Sequence, residues 1–309
     1  MRVYVAGASG QIGARLVPQL VAAGHEVVAA TRSAGKTDRL RKLGAKAVVV
    51  DGLDREAVIA SVLEADPDAV VHEMTALTGT ASLRNFDKSF AVTNRLRTEG
   101  TDHLLEAARR AGVRRVIAQS YAGWPNDPAG PPVQTEEMPL DPSPAAGLRE
   151  SFAAIRHVES VVPAAGGLVL RYGGLYGKGT SAADEMAAFL RKRRLPIVGG
   201  GTGIWSFVHV WDAAAATVLA LEHGEAGVYN VVDDEPAAVS EWLPVLAEAV
   251  GAPPPRRVPA WLGRIAAGGA VTHMMTRARG CSNAKAKREL GWRLRYPTWR
   301  AGFRTGLGE

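Results

Sequence analysis

Nine residues, VAGASGQIG at positions 5–13, follow directly on the apolar run that opens the chain. Glycine returns at every third position, Gly7, Gly10 and Gly13. Between a strand and a helix, residues without a Cβ do three things: they allow a tight turn, they let bare main chain come close to a ligand, and they let the helix pack tightly on the strand. The helix that starts here carries free N–H groups and the positive end of its dipole, which favour an anion. A dinucleotide pyrophosphate is therefore expected across Gly7, Ser9, Gly10, Gln11, Ile12 and Gly13.

The pattern that follows supports that expectation. Short β-rich runs at Arg2–Ala6, Glu26–Thr31, 47–51, 69–73, 115–119 and 167–171 alternate with helical periodicity at 11–23, 36–43, 54–64 and 85–111. Strands that are apolar throughout, separated by helices, predict a parallel sheet covered on both faces. The expected fold is α/β, a doubly wound parallel sheet of Rossmann type. Residues 123–147 are rich in Pro, Gly and Asp and read as a long loop beside the sheet's carboxyl edge; a helix follows at about 148–161. The expected division places a nucleotide-binding domain at 1–171, completed by about 206–232. A smaller C-terminal substrate-binding part is formed by 172–205 and 233–309.

Composition excludes several functions. No apolar run approaches the roughly 18 residues a membrane span needs, so no membrane partner is expected. The net charge of +6 comes from scattered arginines, and the tight run Arg191-Lys192-Arg193-Arg194 suits the negative end of a helix before Pro196, so nucleic acid is not expected. A single cysteine, Cys281, permits no internal disulfide and suits a reducing cytoplasm, and with a strand beginning at the first residues no targeting segment is expected. The histidines and the cysteine lack ligand spacing, so no metal is expected.

The tip of the second strand selects the cofactor. A carboxylate there would hold free ribose hydroxyls, but this chain has Thr31-Arg32-Ser33 with Lys36 close by. A guanidinium welcomes a 2′-phosphate, so NADP(H) is expected over NAD(H). Asp51, ending the third strand, is placed to meet the adenine; Met74 and Thr75, ending the fourth, stand beside the dinucleotide.

The ordered series GASGQIG, VVVDGLD, GTDHLLEAARRAGVRRVI, LRYGGLYG, FVHVWDAAAA, GVYNVVDDEP and SNAKAKRELGW covers nearly the whole chain. It resembles the extended and atypical short-chain dehydrogenase/reductase proteins, the NAD-dependent epimerase/dehydratase group. The resemblance implies NAD(P) on the larger part, substrate in the cleft against the C-terminal part, and a homodimer formed through the helices at about 85–111 and 148–161. It also implies a catalytic Ser and a Tyr-x-x-x-Lys pair, in which the phenol relays a proton and the lysine lowers its pKa and holds the nicotinamide ribose.

Here the chain departs from the pattern. Anchored on Glu159, Ser151 stands where the tyrosine belongs and Ile155 where the lysine belongs. The usual Asn position, three before Gly100, is Arg97, counted here among the cofactor-binding positions, with Asn94 one helical turn earlier. Ser120 or Tyr121 fills the serine slot. Tyr121 is the best available acid, needing a cation such as Arg97 beside it, and Ser151 can offer only a hydrogen bond. His157 and Arg156 lie on the same helix as Ser151, with His157 suited to a surface or packing role, and Asp212 is placed to cap the helix that follows it. Trp205-Ser206 replaces the arginine that nucleotide-sugar enzymes carry before F-x-H-V. With Trp124, Tyr172 and the nearby Tyr176 this favours a flat or apolar substrate. The expected function is an NADP(H)-dependent oxidoreductase acting on a small apolar or aromatic carbonyl, enone or imine. The alternatives are a non-redox epimerase, dehydratase or cyclase on the same fold, or a non-catalytic NADP sensor.

Overall fold

The computed structural model describes residues 1–77, 86–305 and 307. Seven strands form one parallel sheet: β1 (Arg2–Ala6), β2 (Glu26–Thr31), β3 (Lys46–Val49), β4 (Ala69–His72), β5 (Arg115–Tyr121), β6 (Leu168–Tyr172) and β7 (Gly227–Val231), in the spatial order β7-β6-β5-β4-β1-β2-β3. The order reverses at β1, which pairs with β2 on one side and β4 on the other. That reversal opens a crevice at the carboxyl ends of the strands, where ligands bind in folds of this kind. β4 and β6 are buried at every residue, the pattern of strands sandwiched between helices.

Helices cover both faces. On one side α1 (Gly13–Ala22) and α8 (Val210–Leu219) press Leu16, Leu20, Ala213 and Ala216 onto Val3 and Val5. On the other, α3 (Arg55–Ala65) and α5 (Glu99–Arg110) press Val58, Val62, Leu104 and Ala107 onto Tyr4, Val28 and Val70. The remaining helices are α2 (Thr37–Lys42), α4 (Phe86–Arg97), α6 (Arg149–Ala164), α7 (Ser181–Arg191), α9 (Val239–Ala249), α10 (Ala260–Thr276), α11 (Ala284–Leu290) and α12 (Trp299–Thr305). A separate core in the C-terminal part gathers Val198, Phe207, Trp242, Leu246, Met275, Trp299 and Phe303.

Three local expectations are revised. The single helix expected over 85–111 is two, α4 and α5, broken at Thr98, whose hydroxyl donates back to the carbonyls of Asn94 and Arg95; position 85 itself lies outside the described residues. Asp212 does not cap α8. His209 does, accepting from the Trp211 amide, while the Asp212 carboxylate accepts the amides of Arg295 and Tyr296 and pins the C-terminal segment. Of the segments near 206–222 and 227–232 expected to return to the sheet, Gly227–Val231 joins it as β7 beside β6 and α8 packs on its face, whereas Phe207–His209 pairs with Gly174–Tyr176 outside it. The Arg191–Arg194 run does close a helix, α7.

Candidate active site

A cleft of about 630 Å³ runs along the carboxyl edge of the sheet, from the glycine loop to the C-terminal part. The loop is shaped as its spacing demands. Gly7 has φ +88°, and a Cβ there would lie 2.5 Å from the carbonyl carbon of Glu73 on the adjoining strand. A Cβ on Gly13 would lie 2.5 Å from the Ala8 oxygen, so this glycine permits the packing of α1 against the turn. Among the described residues no side chain caps the start of α1, and no acid lies in its first turn, leaving its amides and dipole to a ligand. Ser9, Gly10, Gln11 and Ile12 line the cleft, and the Ser9 hydroxyl is tied to Thr31 Oγ1 at 2.8 Å. This cradle fits a dinucleotide pyrophosphate.

Arg32 is exposed at the tip of β2, with Ser33, Lys36 and Arg39 lining the same end of the cleft. Asp51, Met74 and Thr75 also line it, and Asp51 accepts the Leu53 amide, shaping the turn after β3.

Beneath the loop lies a group that sequence reasoning did not single out. Glu73 is buried and its carboxyl is 2.8 Å from the Tyr172 hydroxyl, which is 2.6 Å from Thr217 Oγ1, which in turn donates to the Ala213 carbonyl at 2.9 Å. Three links need three protons, and the two hydroxyls supply two. The chain is complete only when Glu73 is protonated, and burial does push its pKa up to about 8. The one signal in the sequence was a carboxyl closing a largely apolar run, Ala69-Val70-Val71-His72-Glu73. Tyr172 thus spends its hydroxyl under the cofactor end of the cleft. Next to Glu73, burial pulls the pKa of His72 down to about 4; its Nδ1 accepts the Met74 amide and its Nε2 meets the Leu96 carbonyl, so it is neutral.

At the middle of the cleft the structure brings Tyr121, Gln119 and Arg97 together. Burial raises the Tyr121 phenol to about 12 although the Arg97 charge opposes the shift. Arg97 is 3% exposed, and its Nε and Nη1 have no hydrogen-bond partner among the described residues. Gln119 donates to the Met74 carbonyl at 3.3 Å. Ser120 reaches the cleft wall, but its hydroxyl donates to Glu159 Oε1 at 2.8 Å, and Glu159 also holds Arg171 through two bonds of 2.7 and 2.6 Å. Ser151 is elsewhere. It is fully buried at the start of α6, where its amide and hydroxyl both donate to Asp87 and Asn94 donates to its oxygen. Ile155 is fully buried with Phe86, Trp124, Leu148 and Phe152. His157 pairs with Asp102 at 2.7 Å.

The far end of the cleft is apolar. Trp124 packs edge-on to Phe86 and Phe152 and tilts against Tyr121; Trp205 stands 4.9 Å from Trp242 and donates its indole N–H to the Met274 carbonyl. Phe90, Phe189 and Met274 complete this chamber, all three missed from sequence because they come from helices whose apolar residues read as core. Cys281 is buried outside it, with its thiol pushed up to about 11 by burial and taking a hydrogen bond from Asn126. Among the described residues no cluster of His, Cys, Asp and Glu could hold a metal, and no helix is long and apolar enough to cross a membrane.

Known proteins resemble this chain in sequence and fold. The model of the NAD dependent epimerase/dehydratase family matches residues 3–232. A 3-diazoavenalumate denitrifying reductase from a Streptomyces species is 47% identical over 309 residues, covering 98% of this chain and 99% of the relative. A ketoreductase from Stigmatella aurantiaca, named for a farnesylated dihydroquinoline oxide, is 31% identical over 259 residues, covering 81% of this chain and 74% of its own length. Among solved structures, the UDP-glucose 4-epimerase of Thermus thermophilus in complex with NAD superimposes with a TM-score of 0.74 at 27% identity, covering 99% of this chain and 98% of that one.

Proposed function

Because the chain belongs to the NAD dependent epimerase/dehydratase family and is an enzyme of that oxidoreductase and epimerase lineage, we propose that it is an NADP(H)-dependent reductase of a small aromatic or conjugated acceptor. When bound, the dinucleotide supplies the hydride. The uncapped start of α1 and the glycine loop receive its pyrophosphate, and Arg32, with Lys36 and Arg39, receives the 2′-phosphate of NADP. The chamber of Trp124, Trp205, Phe90 and Phe189 excludes water and holds a flat substrate.

One observation carries the reading: the two positions of the proton relay, Ser151 and Ile155, are buried away from the cleft and committed to Asp87 and to core packing. A ketone needs a proton delivered to its oxygen as hydride arrives. An enone, an iminium or an aryl diazonium does not depend on one. The last accepts hydride and releases dinitrogen, with atoms and charge balanced, in line with the denitrifying reductase named above. Tyr121, neutral throughout the physiological range, remains the donor for a substrate oxygen where one is present.

The test is a panel of enones, imines, simple ketones and aryl diazo compounds, followed by loss of the reduced nicotinamide's absorbance with NADPH and with NADH. Faster turnover of the acid-independent acceptors with NADPH is expected. Exclusive activity on simple ketones, or none with any acceptor, would defeat the proposal.

A further inference from the structure

Arg97, the last residue of α4, poses a physical problem inside the cleft. The residue is 3% exposed, and neither Nε nor Nη1 of its guanidinium has a hydrogen-bond partner among the described residues. Besides the Tyr121 phenol, the one acid that acts on it electrostatically among the described residues is Glu159, which already receives Nε and Nη2 of Arg171 and the hydroxyl of Ser120. Among the described residues Arg97 therefore has no counter-ion of its own. A buried cation without one is strongly disfavoured, and buried polar atoms in native proteins are almost always satisfied. Its basicity falls only to about 10, so it is still charged at neutral pH.

The cradle for the dinucleotide's phosphates lies at the glycine loop and the β2 tip, whereas Arg97 lines the cleft beside Tyr121 and Gln119, where the apolar chamber begins. We propose that Arg97 is the recognition site for an anionic oxygen, a carboxylate or phenolate, on the conjugated substrate, so that the enzyme selects planar aromatic anions and not neutral ones. The proposal rests on the reductase reading of the cleft. The geometry matches the ligand chemistry: a planar guanidinium donor at the mouth of a chamber lined by Trp124 and Phe90, with the neutral Tyr121 phenol as a second donor. The substrate's ring lies among the aromatics, and its charge neutralises the buried guanidinium.

The experiment measures binding without turnover, by quenching of intrinsic tryptophan fluorescence in the full chain saturated with NADP+. The probes are cinnamate against cinnamamide, and 4-nitrophenolate against 4-nitroanisole. Each anion is expected to bind about tenfold or more tightly than its neutral partner, the ratio set by one charge-assisted hydrogen bond. In Arg97→Met that preference should vanish while the affinity for NADP+ is unchanged; Arg97→Lys should retain part of it. A carboxylate preference alone assigns the site to acids, and a phenolate preference alone assigns it to phenols. Equal binding of charged and neutral probes to the native chain, or a preference that survives Arg97→Met, overturns the proposal. So does a loss of NADP+ affinity in Arg97→Met, which would give the guanidinium to the cofactor. The reductase reading fails separately, if anions bind but no acceptor ever consumes NADPH.

Discussion

Replacing Glu73 with glutamine should make the protein more stable at alkaline pH. The carboxyl sits in a buried chain with Tyr172 and Thr217 that closes only when Glu73 carries a proton, and glutamine offers an amide donor in the same place. Its folded-state pKa is raised from 4.5 to about 8. Below about pH 4.5 the group is protonated in both states and adds nothing to pH dependence. Between 4.5 and about 8 the unfolded chain releases the proton while the folded chain keeps it, so stability falls as pH rises, and above 8 the loss is complete. At roughly 1.4 kcal/mol per unit, the displacement caps the loss at about 5 kcal/mol; relaxation around an ionised Glu73 makes about 2 kcal/mol a reasonable expectation. Urea unfolding of the native chain and Glu73→Gln at pH 5, 7 and 9 reads the difference directly. Asp233, also raised to about 8 by burial, titrates in both proteins and cancels in the comparison. A difference between the two proteins that stays constant from pH 5 to 9 would refute the proton count.

Other perturbations test separate parts of the cleft. Arg32→Ala should weaken NADPH binding by about tenfold or more while leaving NADH binding unchanged, measured by fluorescence titration; equal weakening of both would remove Arg32 from 2′-phosphate recognition. Tyr121→Phe should slow reduction of a simple ketone about 10²-fold, because the phenol protonates the substrate oxygen, and leave an aryl diazonium almost untouched; equal rates on both acceptors, relative to the native enzyme, would dismiss Tyr121 as the acid. Glu159→Gln should destabilise the fold by about 3–5 kcal/mol in thermal unfolding, because it leaves the buried Arg171 guanidinium without its bidentate partner; a change below about 1 kcal/mol would show that Arg171 finds water instead.

The sheet was readable in the sequence because its signals are local. Strand and helix periods alternate from Arg2 to Tyr172, and the glycine spacing fixes the one turn whose shape chemistry dictates. The break at Thr98 was not readable, since one back-bonding hydroxyl within an apolar periodic stretch leaves the period intact. The cleft residues divide in the same way. Gly7, Arg32 and Trp205 follow from motif position. The roles of Ser120, Glu73 and Arg97 depend on partners 39, 99 and more than 20 residues away, and proton and charge bookkeeping of that kind exists only after the chain has folded. Asp212 makes the same point: a carboxylate in a first helical turn reads as a cap, yet its two acceptors are claimed by amides more than 80 residues downstream.

Helix α6 begins with Ser151 clasped by an aspartate and carries Ile155 into a wall of aromatic rings. A phenol placed at 151 would have to evict that aspartate, and an ammonium at 155 would be sealed in hydrocarbon. Installing the family's usual dyad is therefore not a two-residue repair: both positions are already committed, one to an aspartate and one to the core, and new reactivity in this enzyme has to be sought from the β5 edge across the cleft.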